Sequence, residues 1–199
     1  MDRYVLGNGD SYLRAGPDKA PIGVGSLGIR TGSETDRAAF GNQVDFESTP
    51  VRDLKRVGFA IYTTEQNIEA GSGEPSNMPH ITFEIDPNLD RSPDSSASLV
   101  FVPYDSEPDA WTFIEATSPE AGYWRLIGGD ETAERCAISV ERCTLEQVQE
   151  VLEDGGEAAL ITDSVQVTKG PDFAFSGAAD QLVINDRTYD FEPFGVFVD

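Results

Sequence analysis

Glu84 and Asp86 stand two positions apart in the run His80 to Asp86 (HITFEID). On a β-strand that spacing puts both carboxylates on one face. Two acids on one face can flank a glycosidic bond, one as proton donor and the other as base or nucleophile. Some jelly-roll glycosidases carry an E-I-D strand motif of this kind followed by a further acid. Here Pro87 follows at once and no Glu arrives in the next few positions. Glu84 and Asp86 therefore carry a polysaccharide hydrolase or lyase only as a minor reading; a solvent-facing strand is the stronger one.

Asp86, Asn88 and Asp90 fall at positions 1, 3 and 5 of a loop, with Asp94 close behind. Alternate oxygens at that spacing converge on calcium. Arg91 occupies the place of the EF-hand glycine and Ala97 that of its terminal Glu, so an EF-hand is excluded. Two readings remain: a looser strand-linking calcium site, the one cofactor the chain admits, or a solvated turn held by Asx hydrogen bonds. The solvated turn is preferred.

His80 is the single histidine, which removes multi-histidine metal sites. No G-x-S-x-G elbow accompanies it, so it reads as a strand-end residue rather than part of a catalytic triad. Residues 23–28 (GVGSLG) match G-x-G-x-x-G, but the run continues as a strand where a dinucleotide site needs a helix. Tyr62, Tyr104, Trp111, Tyr123 and Trp124 could form a stacking platform for sugar rings, or fill a core. Cys136 and Cys143 are too few for a zinc site and form no C-x-x-C. Turn-forming residues flank both, which favours a disulfide closing a small loop over two unrelated thiols.

The elements that would carry these residues are mostly strands. Period-2 runs occur at Gly25 to Thr31, Val57 to Thr63, His80 to Asp86, Ser98 to Pro103, Trp111 to Ala116, Tyr123 to Leu126, Gln181 to Asn185 and Thr188 to Phe191. Gly, Pro and Asp clusters punctuate them at 71–75, 87–96, 105–108 and 128–130, and Asn185-Asp186-Arg187 reads as a hairpin turn. One helix stands out at about 144–154. Thr144 and Gln147 form a capping box, Leu145, Val148, Val151 and Leu152 share a side, and Gly155 suits the stop. Many strands without strand–helix alternation predict an all-β fold. The economical architecture is an antiparallel two-sheet jelly-roll sandwich with one short helix, as a single domain over residues 1–199.

Composition sets the outer limits. The chain has 199 residues and a net charge of −22, with only three lysines against 36 Asp and Glu. Nucleic acid and anionic bilayers would be repelled by such a surface. No apolar run is long enough for membrane insertion. Carboxylates spread along the whole chain fit either plain solubility or adaptation to high salt. The first residues, MDRYVLGNGDSY, lack an apolar export segment, so on this reading a signal is missing from the chain.

The block order PIGVGSLGIRTGSETDRAAF, PVRDLKRVGFAIYT, MPHITFEID, SLVFVPY, WTFIEA, YWRLIG, CTLEQVQEVL and ADQLVINDRTYDFEP resembles a bacterial secreted and cell-surface β-sandwich domain. It covers roughly residues 12–193 and is similar to carbohydrate-binding-module or galactose-binding-like jelly rolls. The acidic loop keeps Asp86 and Asp90 but lacks the glycines of that pattern, and Ile114 replaces its second tryptophan. The resemblance implies export and a non-catalytic extracellular binding or adhesion module, with glycan as the ligand class. A structural cell-surface or self-assembling subunit is the main alternative.

Overall fold

The structure, a computed structural model, describes residues 1–71, 77–87, 96–128, 135–137, 141–153 and 156–199, with the side chain of Ser164 also left aside. The strands are Asp2–Leu6 (β1), Asp10–Ala15 (β2), Gly25–Thr31 (β3), Arg37–Asn42 (β4), Val57–Tyr62 (β5), His80–Asp86 (β6) and Ala97–Pro103 (β7). They continue as Trp111–Glu115 (β8), Gly122–Ile127 (β9), Leu160–Lys169 (β10), Phe175–Ile184 (β11), Arg187–Glu192 (β12) and Gly195–Val198 (β13). Six form one antiparallel sheet in the order β1-β4-β10-β6-β7-β9. Seven form the other, running β13-β12-β11-β3-β2, with β5 on the opposite edge of β11 and β8 beyond it. The predicted two-sheet β-sandwich is what the chain forms.

Alternation explains the core. Ile81, Phe83 and Ile85 of β6, Leu99 and Phe101 of β7, and Trp124 and Leu126 of β9 all enter one buried cluster with Leu27, Phe59, Ile61 and Phe191 from the other sheet. Trp124 packs against Phe83 and Phe101 at 6.2 and 5.3 Å between ring centroids, and its indole N–H donates to the Ala116 carbonyl at 2.8 Å. A buried tryptophan needs such an acceptor.

The expected helix is Leu145–Leu152 (α2). Its capping box is present: Thr144 Oγ1 accepts from the Gln147 amide at 3.2 Å, and Gln147 Oε1 accepts from the Thr144 amide at 2.8 Å. Leu145, Val148 and Leu152 are buried, and Gln149 Nε2 donates to the carbonyls of Val51 and Leu54, both at 3.0 Å. Gly155, the expected stop, lies outside the described residues. The expectation of one helix is corrected by a second, Glu65–Ala70 (α1), capped by Thr64. It is too short for a 3.6-residue apolar stripe. Asn67 anchors it through hydrogen bonds to Thr63 and to both backbone groups of Ser176.

Cys136 and Cys143 are joined by a disulfide with Cα atoms 5.4 Å apart. The closed loop docks on β9, where Leu126 donates to the Cys136 carbonyl and Trp124 exchanges backbone bonds with Cys143. Leucine 126 and Trp124 are core residues, so the bridge fixes the loop beside the core.

Strand β11 is shared unequally. It pairs with β5 along Ala178–Ile184, while its other edge passes from β3 (Phe175–Ala179) to β12 (Leu182–Ile184). Asp180 sits at the handover, fully buried, and Oδ1 accepts from the Phe191 amide at 3.1 Å while Oδ2 has no partner among the described residues. Burial pushes its carboxyl up to about 6, against backbone hydrogen bonds that favour the anion; the Asp190 carboxylate adds to the rise.

Two stability measurements follow from these anchors. Thr144→Ala should lower stability by about 1 kcal/mol, whereas Thr144→Ser should keep most of it, read from urea midpoints. Equal loss in both variants would mean that the cap contributes nothing. Asp180 takes up its proton more readily folded than unfolded, so its favourable contribution is complete below about pH 4 and is lost as pH rises through 6. Asp180→Asn keeps the acceptor without the charge. It should raise stability at pH 7.5 by about 2 kcal/mol and give little gain at pH 4. A variant destabilised equally at both pH values would refute the charge-burial account.

Candidate functional site

The outer face of the six-stranded sheet is built from the residues that alternate with the core. On β6 these are His80, Thr82 and Glu84; on β7, Ser98 and Val100; on β9, Tyr123, Arg125 and Ile127; on β10, Gln166 and Thr168; on β4, Arg37, Ala39 and Gly41. Register brings them together from distant points in the chain. Thr168 lies opposite both His80 and Ala39, and Thr82 lies between Gln166 and Val100, which in turn faces Arg125.

A cavity of about 350 Å3 opens on this face, lined by Arg37, His80, Thr82, Arg125, Thr168 and the Gly170–Asp172 turn among others. Gly170 has a φ of +83°, and a Cβ there would run into the Asp36 carbonyl oxygen, so glycine is needed to bring the turn to the cavity wall. A second cavity of about 400 Å3 adjoins it, lined by Tyr4, Gln43, Glu84, Asp163 and Gln166, and Arg37 borders both. The two volumes lie in the lower part of the range for small-ligand sites.

Among the described residues, the lining of the first cavity is electropositive, with Arg37 and Arg125 against one acid, Asp172. Arg37 Nε, Arg125 Nε and Thr168 Oγ1 are all buried without a hydrogen-bond partner, and neither arginine is in an ion pair among the described residues. Lys169, fully buried just behind, is held by the Asp172 carboxylate, which also accepts from the Phe173 amide at 2.6 Å. Burial depresses the Lys169 amine despite that partner. His80, about nine-tenths buried, is pushed down to about 3, first by burial and then by the charges of Lys169, Arg125 and Arg37. Its imidazole is therefore neutral at physiological pH and offers one donor and one acceptor. A histidine so depressed lowers fold stability as pH falls from 6.5 towards 3, because the unfolded chain binds the proton first.

The structure sorts the sequence-derived candidates. Trp124 belongs to the core, because it alternates with the outward Tyr123 and Arg125, and is removed from the stacking set. The other four do not form one platform. Tyr62 and Trp111 are paired across β5 and β8 of the seven-stranded sheet at 5.6 Å, with the Trp111 indole donating to the Pro17 carbonyl. Tyr104 and Tyr123 lie 5.6 Å apart beside the six-stranded sheet, with the Arg142 guanidinium 4.8 Å from the Tyr123 ring centroid. Tyr123 shares the outward side of β9 with Arg125, two positions along, but neither tyrosine of the pair lines the cavity.

Glu84 lines the second cavity and accepts from the Ser98 hydroxyl at 2.8 Å, whereas Asp86 does not line it. Asn88, Asp90 and Asp94 of the calcium expectation lie outside the described residues. Cys136, Cys143 and Glu141 bring sulfur and oxygen atoms within 4.8 Å, but the disulfide leaves no thiolate to bind a metal. Residues 25–31 are strand β3, so GVGSLG opens no phosphate-binding helix.

Arg37, Arg125, Thr168 and the role of His80 escape the sequence reading. The run YWRLIG does place Arg125 opposite Trp124 and on the side of Tyr123, which is one usable signal. Joining it to Arg37 requires the register of five strands. No family model, curated protein or solved structure matches this chain, so the fold rests on its own strand pairing and the site on its own geometry.

Proposed function

We propose that the protein is a non-catalytic binding module that holds a glycan across the outer face of its six-stranded sheet. The observation that carries this reading is the pair of adjoining cavities sharing Arg37, with Tyr123 of the Tyr104–Tyr123 pair two positions from Arg125 on the outward side of β9. Sugar rings present hydroxyls in pairs and an apolar face of C–H groups. Planar side chains such as Arg37, Gln43, Gln166 and Glu84 suit the hydroxyls, and a tyrosine ring suits the apolar face. Polar groups spread over an open sheet support binding better than turnover. Glu84 is engaged by Ser98, and the acid that shares its cavity, Asp163, lies on a different strand. The disulfide supports an extracellular setting, since such bridges persist where the medium is oxidising.

A second reading, self-assembly into a surface structure, is favoured by the edges. Among the described residues, strand β1 pairs only with β4, and β13 only with β12. Tyr4 and Leu6 on the first are 63% and 56% exposed, while Phe197 on the second is 61% exposed, beside Phe194 at 99%. Open apolar edges of this kind can pair with another copy.

A glycan array with the disulfide-intact protein, run beside light scattering over a dilution series, separates the two. Binding of a defined glycan class by a monomer, weakened about tenfold by Tyr123→Ala, is the expected result, the loss of one stacked ring being worth about 1 kcal/mol or slightly more. A folded monomer that binds no glycan would sink the binding reading. Concentration-dependent oligomers lost on Phe197→Ser would instead favour assembly. Release of new reducing ends from a bound polysaccharide would show that the module is an enzyme.

A further inference from the structure

The electropositive cavity says more about the ligand than its being a sugar. Four other arginines are neutralised locally: Arg3 by Asp10, Arg56 by Glu115, Arg135 by Glu141 and Arg187 by Asp45. Arg14, Arg30, Arg52 and Arg142 have no ion pair among the described residues either, but none of them has a buried, unpartnered guanidinium nitrogen. Arg37 and Arg125 do: each is half-buried, each has a buried Nε–H with no acceptor among the described residues, and both line one cavity. Leaving a buried charged donor unsatisfied is costly, and a carboxylate is the usual remedy in a chain with 36 of them. Among the described residues, the only acid lining this cavity, Asp172, is already committed to Lys169 and the Phe173 amide. Thr168 adds a third polar group aimed at the same space, 96% buried and with its hydroxyl unpartnered.

Resting on the glycan reading, we propose that this cavity is an anion subsite that takes the carboxylate or sulfate of an acidic sugar, clamped between Arg37 and Arg125 with Thr168 as an additional donor. A neutral hydroxyl would satisfy the N–H groups but leave two positive charges uncompensated. An oxyanion satisfies both, and guanidinium donors present parallel N–H groups that fit it. Neutral His80 supplies a further N–H or acceptor without demanding a counter-charge of its own. The cavity is far larger than one oxyanion, and Arg37 also lines the second cavity, which leaves room for the ring and its neighbours. The sugar hydroxyls then meet Gln43, Glu84 and Gln166 rather than further cations.

Isothermal titration tests this with an oligogalacturonate, its carboxyl-reduced form, a sulfated galactan oligosaccharide and its desulfated form. At 50 mM salt at least one acidic oligosaccharide should bind ten or more times tighter than its neutral counterpart. The gain should shrink as salt rises. Arg125→Gln and Arg37→Gln should each remove most of that gain, bringing acidic and neutral affinities together, and Arg125→Lys should restore part of it. Equal affinity for acidic and neutral forms would overturn the anion subsite and leave the glycan reading standing. Absence of binding by all four, with the array also blank, would instead remove the glycan reading itself. Inorganic sulfate binding as tightly as the sulfated sugar would overturn the acidic-sugar assignment in favour of a free anion. The wild-type protein gives a readout that does not depend on variant folding. The ring signals of His80, the single histidine, should shift on titration with the acidic oligosaccharide and stay still with the neutral one. Unmoved signals at saturation with the acidic form would place the ligand elsewhere.

Discussion

Strand β11 is the element on which the seven-stranded layer hangs. One edge runs along β5; the other serves β3 first and β12 afterwards. A regular strand cannot change neighbours without leaving backbone groups unpaired at the point of change. Here the change falls at Asp180 and Gln181, with Gln181 in the left-handed region at φ +50°. That conformation costs a non-glycine residue roughly 1–2 kcal/mol. The Asp180 carboxylate takes up the Phe191 amide at the junction. A buried acid is thus tolerated because it completes the hydrogen bonding of a forked sheet. Without the fork, β12 and β13 would have no place in the layer, and Tyr189 and Phe191 would leave the core they fill.

In the other sheet β10 has the corresponding position, with β4 on one side and β6 on the other. This strand brings residues 37, 80 and 168 to one place, and β7 and β9 extend the row to Arg125. The resulting positive spot coexists with a surface of opposite sign because the two act at different ranges. In about 0.1 M salt, exposed charges more than about 10 Å apart hardly sense each other. A half-buried pair of guanidiniums is screened less than exposed charges are. The total of −22 therefore describes how the molecule as a whole meets a long polyanion. It does not describe what one recess accepts.

The legible parts of the fold were those governed by neighbours in sequence. Strands β3 and β6 have the expected bounds, and the Thr144–Gln147 box and the Cys136–Cys143 bridge formed as their spacing implies. Residues outside such local rules were harder. β1 is exposed along its whole length, so it has no apolar alternation to read. β10 breaks its pairing register with β6 between Ile161 and Val165, which interrupts the period at Thr162-Asp163-Ser164. Trp124 illustrates a limit of composition: as a residue type it suggests a sugar platform, and only its phase relative to Arg125 assigns it to the core. The cavity was least legible. Its chemistry depends on arginines 88 positions apart, whose meeting is a property of sheet order and not of any local motif.

Lysine scarcity acquires a practical side once the folded positions are known. Of the three side-chain amines, that of Lys169 is fully enclosed and tied to Asp172. Lys19 and Lys55 are exposed, the former between β2 and β3 and the latter bonded through its amide to Asn185 at the β11–β12 turn. Both therefore belong to the seven-stranded layer. Amine-directed coupling through lysine would attach fluorophores or a solid support to that side alone, with the six-stranded face turned outward. The α-amine of Met1, next to β1 of the six-stranded sheet, would have to be blocked first for the lysines alone to set the orientation.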